Sequence, residues 1–285
     1  MMLKRKWLLM GCLLPGLLLA QRISIDVRQV EVYVSVKDSK GRAVTNLQAE
    51  DFRVFEDSRE QHLVAFEPAS AGITLGLLID TTASVAADLP HVKNAVIHLV
   101  STLDENDSVG LFTFSTSLTR LSDFTTDRRK TLSSVLQTRA TGNTALFDSL
   151  VQLSRSISKV NGKKAILLFT DGDDNASVLS LERSLEETRR VGVPIYAMLY
   201  GRALTDATLL KRLENISRST GATSFHVKQP GDLPVVFQKV ADSLQDQYML
   251  IYQFGGDATK DWHSLKVEIP SQPKLTISSR EGYWN

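Results

Sequence analysis

Apolar and polar positions change rhythm twice along the chain. Between residues 22 and 68 they alternate with a period of two, the pattern of strands with one buried face. Ile23, Ile25 and Val27 hold one phase, and Val30, Val32, Val34 and Val36 hold the other. A one-residue slip turns a strand over, so Arg28-Gln29 predicts a bulge or a break. Asp38-Ser-Lys-Gly41 reads as a turn. Phe52-Arg-Val54-Phe55 and Leu63-Val-Ala-Phe66 read as further short strands, joined through Glu56-Asp57-Ser58-Arg59.

From 73 to about 227, continuous apolar runs alternate with helical spacing, which predicts a parallel sheet wrapped by helices. Strands are expected over 73–80, 108–114, 164–169, 193–200 and 223–227, with 118–124 as a hairpin partner. Val92, Ala95, Val96, Leu99 and Leu103 fall on one helix face, as do Leu233, Val236, Phe237, Val240 and Leu244. Further helices are expected over 127–137, 145–158 and 179–190, and around Leu209, Leu210, Leu213 and Ile216. After 247 the strand rhythm returns in Tyr248-Met-Leu-Ile-Tyr-Gln-Phe254, Leu265-Lys-Val-Glu-Ile269 and Leu275-Thr-Ile277. The expected fold class is therefore α/β, a doubly wound, mostly parallel, Rossmann-like sheet. A β module built from the N- and C-terminal segments flanks it, expected as one composite layer. The alternative is that the C-terminal strands extend the main sheet. The expected division is a leader over 1–20, a β module over 21–70, an α/β domain over 71–246 and a β segment over 247–285.

Composition changes this picture little. With 42% hydrophobic and 23% charged residues among 285, the chain is of ordinary globular type. The 33 basic and 32 acidic residues nearly cancel, and no dense basic stripe suggests a nucleic-acid partner. The first twenty residues change it more. Lys4-Arg5-Lys6, an apolar run over 7–19, and Ala20 before Gln21 have the layout of a secretory signal. Its removal would take three cations and shift the formal charge from +1 to −2. The run is shorter than the roughly 20 apolar residues of a membrane-spanning helix, so no stable span is expected after cleavage, an uncleaved anchor being the alternative. Leu9-Met10-Gly11-Cys12 matches a lipoprotein box poorly, because Met10 fits badly there. Cys12 is the sole cysteine, so the mature chain would carry no disulfide. The expected location is exported: periplasmic, cell-surface or secreted.

Candidate chemistry gathers where the first buried run ends, at Asp80-Thr-Thr82-Ala-Ser84. Open α/β sheets place ligands beyond the carboxyl ends of their strands, and these side chains offer the oxygens that hard cations prefer. Helix N-capping is the competing use of the same residues. Thr141-Gly-Asn-Thr144-Ala145 and Thr170-Asp171 have the same character, and a switch point would bring all three loops together. The candidate set is Asp80, Thr82, Ser84, Thr144 and Asp171.

This set resembles the metal-ion-dependent adhesion site of the von Willebrand factor A domain. That signature is Asp-x-Ser-x-Ser after the first strand, a Thr in a later loop and an Asp after the fourth strand. The resemblance implies Thr82, Ser84 and Thr144 as hydroxyl ligands, with Asp80 and Asp171 acting through water or orienting the hydroxyls. Thr82 departs from the usual Ser but keeps the oxygen. The resemblance also implies Mg2+ (or Mn2+ or Ca2+), a protein partner that supplies an acidic residue to the metal, and no enzymatic activity. The flanks Val44-Thr-Asn-Leu47, Glu50-Asp-Phe-Arg-Val54, Glu56-Asp-Ser-Arg-Glu-Gln61 and Arg280-Glu-Gly-Tyr-Trp284 resemble the bacterial "VWFA-related" family, with Ser58 where Gly is expected in a tight turn.

Three other readings start from the same residues. Asp171-x-Asp173-x-Asn175 fits part of a calcium loop, but Ala176 stands where its glycine belongs. A phosphotransferase using Asp80 as nucleophile would need a second acid at position 82, which is Thr82. No Gly-x-Ser-x-Gly elbow marks a serine hydrolase. His62, His91, His98, His226 and His263 lack metal-ligand spacing and read as surface or packing residues. The expected function is an exported adhesion or binding protein. A metal-dependent hydrolase or phosphotransferase, or a scaffold with a vacant metal site, is the alternative.

Overall fold

The computed structural model describes residues 28–255 and 259–284. The expected leader and the Ile23–Val27 alternation lie outside them. In chain order, β1 (Gln29–Lys37) is followed by the short strands β2 (Arg53–Glu56), β3 (Arg59–Gln61) and β4 (Leu63–Glu67). Then come β5 (Ile73–Asp80), α1 (Leu89–Thr102), β6 (Ser108–Phe114), β7 (Leu118–Thr125), α2 (Arg128–Gln137) and α3 (Leu146–Ile157). The second half of the α/β unit holds β8 (Lys163–Thr170), α4 (Leu181–Val191), β9 (Ile195–Leu199), α5 (Arg202–Thr205), α6 (Ala207–Ser219), β10 (Ser224–His226) and α7 (Leu233–Gln245). The chain closes with β11 (Gln247–Gln253), β12 (Trp262–Glu268), β13 (Thr276–Ser278) and β14 (Gly282–Trp284).

The main sheet runs β10-β9-β8-β5-β6-β7, parallel except for the edge strand β7. The chain builds outward from β5 to β6 and β7, then returns to lay β8 on the other side of β5. The switch point therefore falls between the carboxyl ends of β5 and β8, where Ile79 pairs with Phe169. Every residue of β5 and β8 is buried, as expected of strands covered on both faces. Leu75, Leu77 and Ile79 point into a core with α1 and α7, while Leu78 points into the opposite core with α3, α4 and α6.

The flanking strands correct the expected single layer. They form two four-stranded sheets, β13-β1-β11-β4 and β14-β12-β2-β3, both antiparallel. Val30, Val32, Val34 and Val36 of β1 face Val54, Leu265, Val267 and Tyr283 of the other sheet across a shared core. Two sheets are needed because β1 carries apolar residues on one face along its length, and a single layer would leave that face wet. The opposite face of β1 meets the base of the α/β unit, where Lys164 Nζ lies 2.7 Å from Glu31 Oε1. The C-terminal strands do not join the main sheet. Three elements escaped the pattern reading, β3, β14 and α5, each of three or four residues and too short to show a period.

Candidate metal centre

Asp80 ends β5 and is fully buried. Its Oδ1 accepts from Thr82 N at 3.0 Å and from Thr82 Oγ1 at 2.7 Å, and its Oδ2 accepts from Thr170 Oγ1 at 2.9 Å. Thr82 Oγ1 lies 2.9 Å from Ser84 Oγ. Ser84 is exposed, so the chain of oxygens leads from a buried acid to the surface.

The competing use of these residues, a helix cap, does not form here. Residues Ala83–Val85 make one 3-10 turn and α1 begins only at Leu89, with no side-chain cap on either. The Thr82 hydroxyl is spent on Asp80 and Ser84 instead of on helix N–H groups.

Asp171 follows β8 and closes on the same cluster. It adds to the charge felt by Asp80, and the Ser84 hydroxyl acts on it in turn. Asp171 Oδ1 is buried with no hydrogen-bond partner, a costly state for a carboxylate oxygen. Burial, opposed by the Thr82 hydrogen bonds and reinforced by Asp171, pushes the Asp80 pKa up to about 6. Burial pushes Asp171 up as well. Two desolvated acids with an unbonded oxygen and adjacent hydroxyls form an anionic, all-oxygen pocket. That donor chemistry suits a hard divalent cation.

Thr144 reaches the rim by a different route. Its loop is laced to the first by Thr141 N to Thr81 O at 2.7 Å and by Ala83 N to Gly142 O at 3.3 Å. Thr144 is 4% exposed, and its backbone is clamped by the loop after β8. Thr144 N donates to Asn175 Oδ1 at 2.9 Å, and Thr144 O accepts from Asn175 N and Ala176 N, each at 3.0 Å. The structure thus joins Asp80, Thr82, Ser84 and Asp171 through side chains. It brings Thr144 alongside through backbone, without a hydrogen bond from its hydroxyl to the other four.

The loop after β8 has its own uses for the residues that suggested a calcium loop. Asp173 pairs with Arg202 at 2.5 Å, and Asp174 Oδ2 accepts from Phe147 N at the start of α3 and from Ser177 Oγ. With Asn175 on Thr144, these side chains do not converge on a common point.

Two residues were missed by the sequence reading. Thr170 supplies the third hydrogen bond to Asp80, and its oxygen also accepts from Gly172 N at 2.9 Å. The available signal was a hydroxyl at the last, buried position of an otherwise apolar strand. Tyr200 follows β9 with a buried, unpartnered hydroxyl. Burial, then the charges of Asp80, Asp171 and Asp88, push its pKa well above the ordinary phenol value. It therefore remains a proton donor beside the acids.

A second polar group, Glu56, Asp57 and His263, has ligand atoms within 4.8 Å of one another but belongs to the β sandwich. His263 Nδ1 lies 3.1 Å from Glu56 Oε1 and 2.9 Å from Asp57 Oδ2. Tyr283 and Lys260 already hold those acids, at 2.8 and 2.6 Å. It takes no part in the rim.

The model of the von Willebrand factor type A domain family matches residues 75–258. No curated protein matches the chain. Among solved structures, a von Willebrand factor type A protein from Catenulispora acidiphila is 11% identical, with a TM-score of 0.56 over 90% of this chain and 74% of that one. The conserved hypothetical protein BatB from Bacteroides thetaiotaomicron is 16% identical, with a TM-score of 0.50 over 60% of this chain and 98% of that one. Proximal thread matrix protein 1 of the mussel byssus, solved with a zinc-occupied MIDAS motif, is 20% identical with a TM-score of 0.53. That match covers 65% of this chain and 48% of the mussel protein, so the chain spans about half its length. At these identities the likeness shows the fold.

Proposed function

The chain belongs to the von Willebrand factor type A domain family, and from that premise we propose that it is an exported, non-enzymatic binding protein that takes a protein partner through a divalent cation on the rim of the sheet. The α/β domain over 71–246 would do the binding, on a base built from 21–70 and 247–285. Thr82, Ser84 and Thr144 would offer hydroxyl oxygens to the ion. Asp80 and Asp171 would orient those hydroxyls and hold water. Mg2+ suits the site best, with Mn2+ or Ca2+ as substitutes.

The observation that carries this reading is the pair of buried acids, one with an unbonded oxygen, reaching the surface through the exposed Ser84. A bound cation would supply positive charge that few direct carboxylates cancel, which attracts an acidic side chain of the partner. Asp80 itself is poorly suited to attack a phosphoryl group. Both its oxygens are engaged and it is fully buried, which supports a binding role over phosphotransfer. The flanking motifs support a bacterial envelope as the setting.

Isothermal titration tests the site: Mg2+ or Mn2+ binds the wild-type protein and is lost in Asp80→Ala and Ser84→Ala. Metal binding that survives both substitutions would sink the assignment. Capture of a partner from an envelope fraction should fail when a chelator is added.

A further inference from the structure

We propose that the rim carries a second subsite beside the metal centre, a pocket that takes a large apolar side chain two residues from the partner's acidic residue. This inference rests on the metal-dependent binding proposed above and names the kind of segment that the site reads.

A cavity of about 200 Å³ opens at the carboxyl edge of the sheet. Its floor is apolar: Phe169 and Tyr200 line it from the ends of β8 and β9, Val227 from the residue after β10, and Val92 and Leu233 from α1 and α7. All five are buried, and the Phe169 and Tyr200 rings stack with their centres 4.3 Å apart. The space is smaller than the roughly 300–1,000 Å³ of small-molecule sites, so a single side chain is the occupant of matching size. Asp88 and Lys228 bring one charge of each sign to the lining. No net charge from that pair selects the occupant, and the apolar floor does.

The pocket adjoins the rim acids. Phe169 lies two residues before Asp171 at the same strand end. A methyl group on Gly201, which also lines the pocket, would lie 3.7 Å from Asp171 Cβ. Asp88 follows closely on the Ala83–Val85 turn that presents Ser84. Tyr200 belongs to both places: it lines the pocket, and its buried hydroxyl feels the charges of Asp80, Asp171 and Asp88 after the effect of burial itself. In an extended segment, side chains two residues apart point the same way, about 6.6 Å from one another. A partner that sets its acid on the metal therefore aims the side chain two positions away at the same rim. Seating an apolar group over this floor removes both surfaces from water, which favours the bound state.

Three capped tripeptides test the subsite on the full chain: acetyl-Asp-Gly-Phe-amide, acetyl-Phe-Gly-Asp-amide and acetyl-Asp-Gly-Gly-amide. In saturating Mg2+, at least one phenylalanine peptide should bind about tenfold more tightly than the glycine peptide by calorimetry. Excess chelator should remove that binding. His91 and Gln229 line the pocket at exposed positions. His91→Trp and Gln229→Trp should fill its mouth and cut the preference to less than about threefold, with Mg2+ binding kept within about twofold of wild type. Where Mg2+ binds, equal affinity of the three peptides, or no binding of any, overturns the subsite and leaves the metal centre standing. A preference undiminished in both variants overturns it as well. Absence of Mg2+ binding to the wild-type chain overturns the metal reading, and this inference with it.

Discussion

Asp80 shows how a single residue becomes a site. Alone, a carboxylate after an apolar strand is open to capping, nucleophilic attack or metal binding. Its three hydrogen bonds, from Thr82 N, Thr82 Oγ1 and Thr170 Oγ1, engage both of its oxygens, which supports the proposed orienting role. Two predictions follow from those bonds. Thr170→Val removes the donor to Asp80 Oδ2 and the acceptor of Gly172 N, and should cost about 1–3 kcal/mol in chemical denaturation. It should also weaken Mg2+ binding about tenfold by calorimetry, because a group that orients a ligand is lost. Thr82→Ser keeps the oxygen and should bind Mg2+ within about threefold of wild type, whereas Thr82→Val removes the oxygen and should abolish binding. In the wild-type protein, Mg2+ at a hundred times its dissociation constant should add about 2.7 kcal/mol to unfolding stability, and none in Asp80→Ala.

At the scale of elements, the strongest constraints sit where chain segments turn. The β2–β3 hairpin turns through Asp57 at φ 48° and Ser58 at φ 66°, left-handed values that cost an L-residue roughly 1–2 kcal/mol each. Asp57 is retained by its contacts with His263, Ser264 and Lys260. Among the described residues Ser58 makes no such contact, so Ser58→Gly should raise stability by about 1 kcal/mol in urea unfolding. Gly192 is the opposite case. It ends α4 at φ 77°, and a methyl group there would strike the Arg280 guanidinium. Gly192→Ala should therefore destabilise by more than about 2 kcal/mol, through backbone strain and displacement of a buried cation together. The role of Gly192 as the floor under Arg280 was not legible in the sequence, because the two meet only in the folded chain.

For the whole molecule, two adjacent lysines at the start of β8 tie the sandwich to the α/β unit. Lys164 pairs with Glu31, while Lys163 Nζ donates to Ala69 O at 2.7 Å and Gln247 O at 3.0 Å. Burial pushes the Lys163 pKa down to about 8, against the partial support of Glu67, Asp107 and Asp246. A folded-state pKa below the unfolded one means that the unfolded chain binds more protons between pH 8 and about 10.5. Stability should thus rise over that window as the cost of the buried charge is relieved, by about 1–2 kcal/mol between pH 8 and 10. Lys163→Met should flatten the rise. Above pH 10 the trend should reverse, because buried tyrosines such as Tyr33, with pKa raised by burial, keep protons that the unfolded chain loses. Urea melts of both proteins at unit steps of pH measure the difference.

The sequence by itself determined whatever depends on local period and residue type. The buried runs of β5 and β8, the faces of α1 and α7, and the oxygen-bearing strand ends were legible because periodicity and strand-end chemistry are written in consecutive residues. Asp80, Thr82, Ser84 and Asp171 followed from those strand ends, while Thr144 came from the loop that leads into α3. Tertiary structure decided which segments meet and which groups lose water. Val30 pairs with Tyr252 and His263 meets Glu56, contacts more than 200 positions apart that no window of sequence contains. The same closure divided the flanking strands into two sheets, turned Thr170 toward Asp80, and sealed Arg280 into the seam. Desolvation belongs to neighbours brought together by the fold, so the buried acids of the rim and the buried arginine of the seam became visible only once the chain had closed around them.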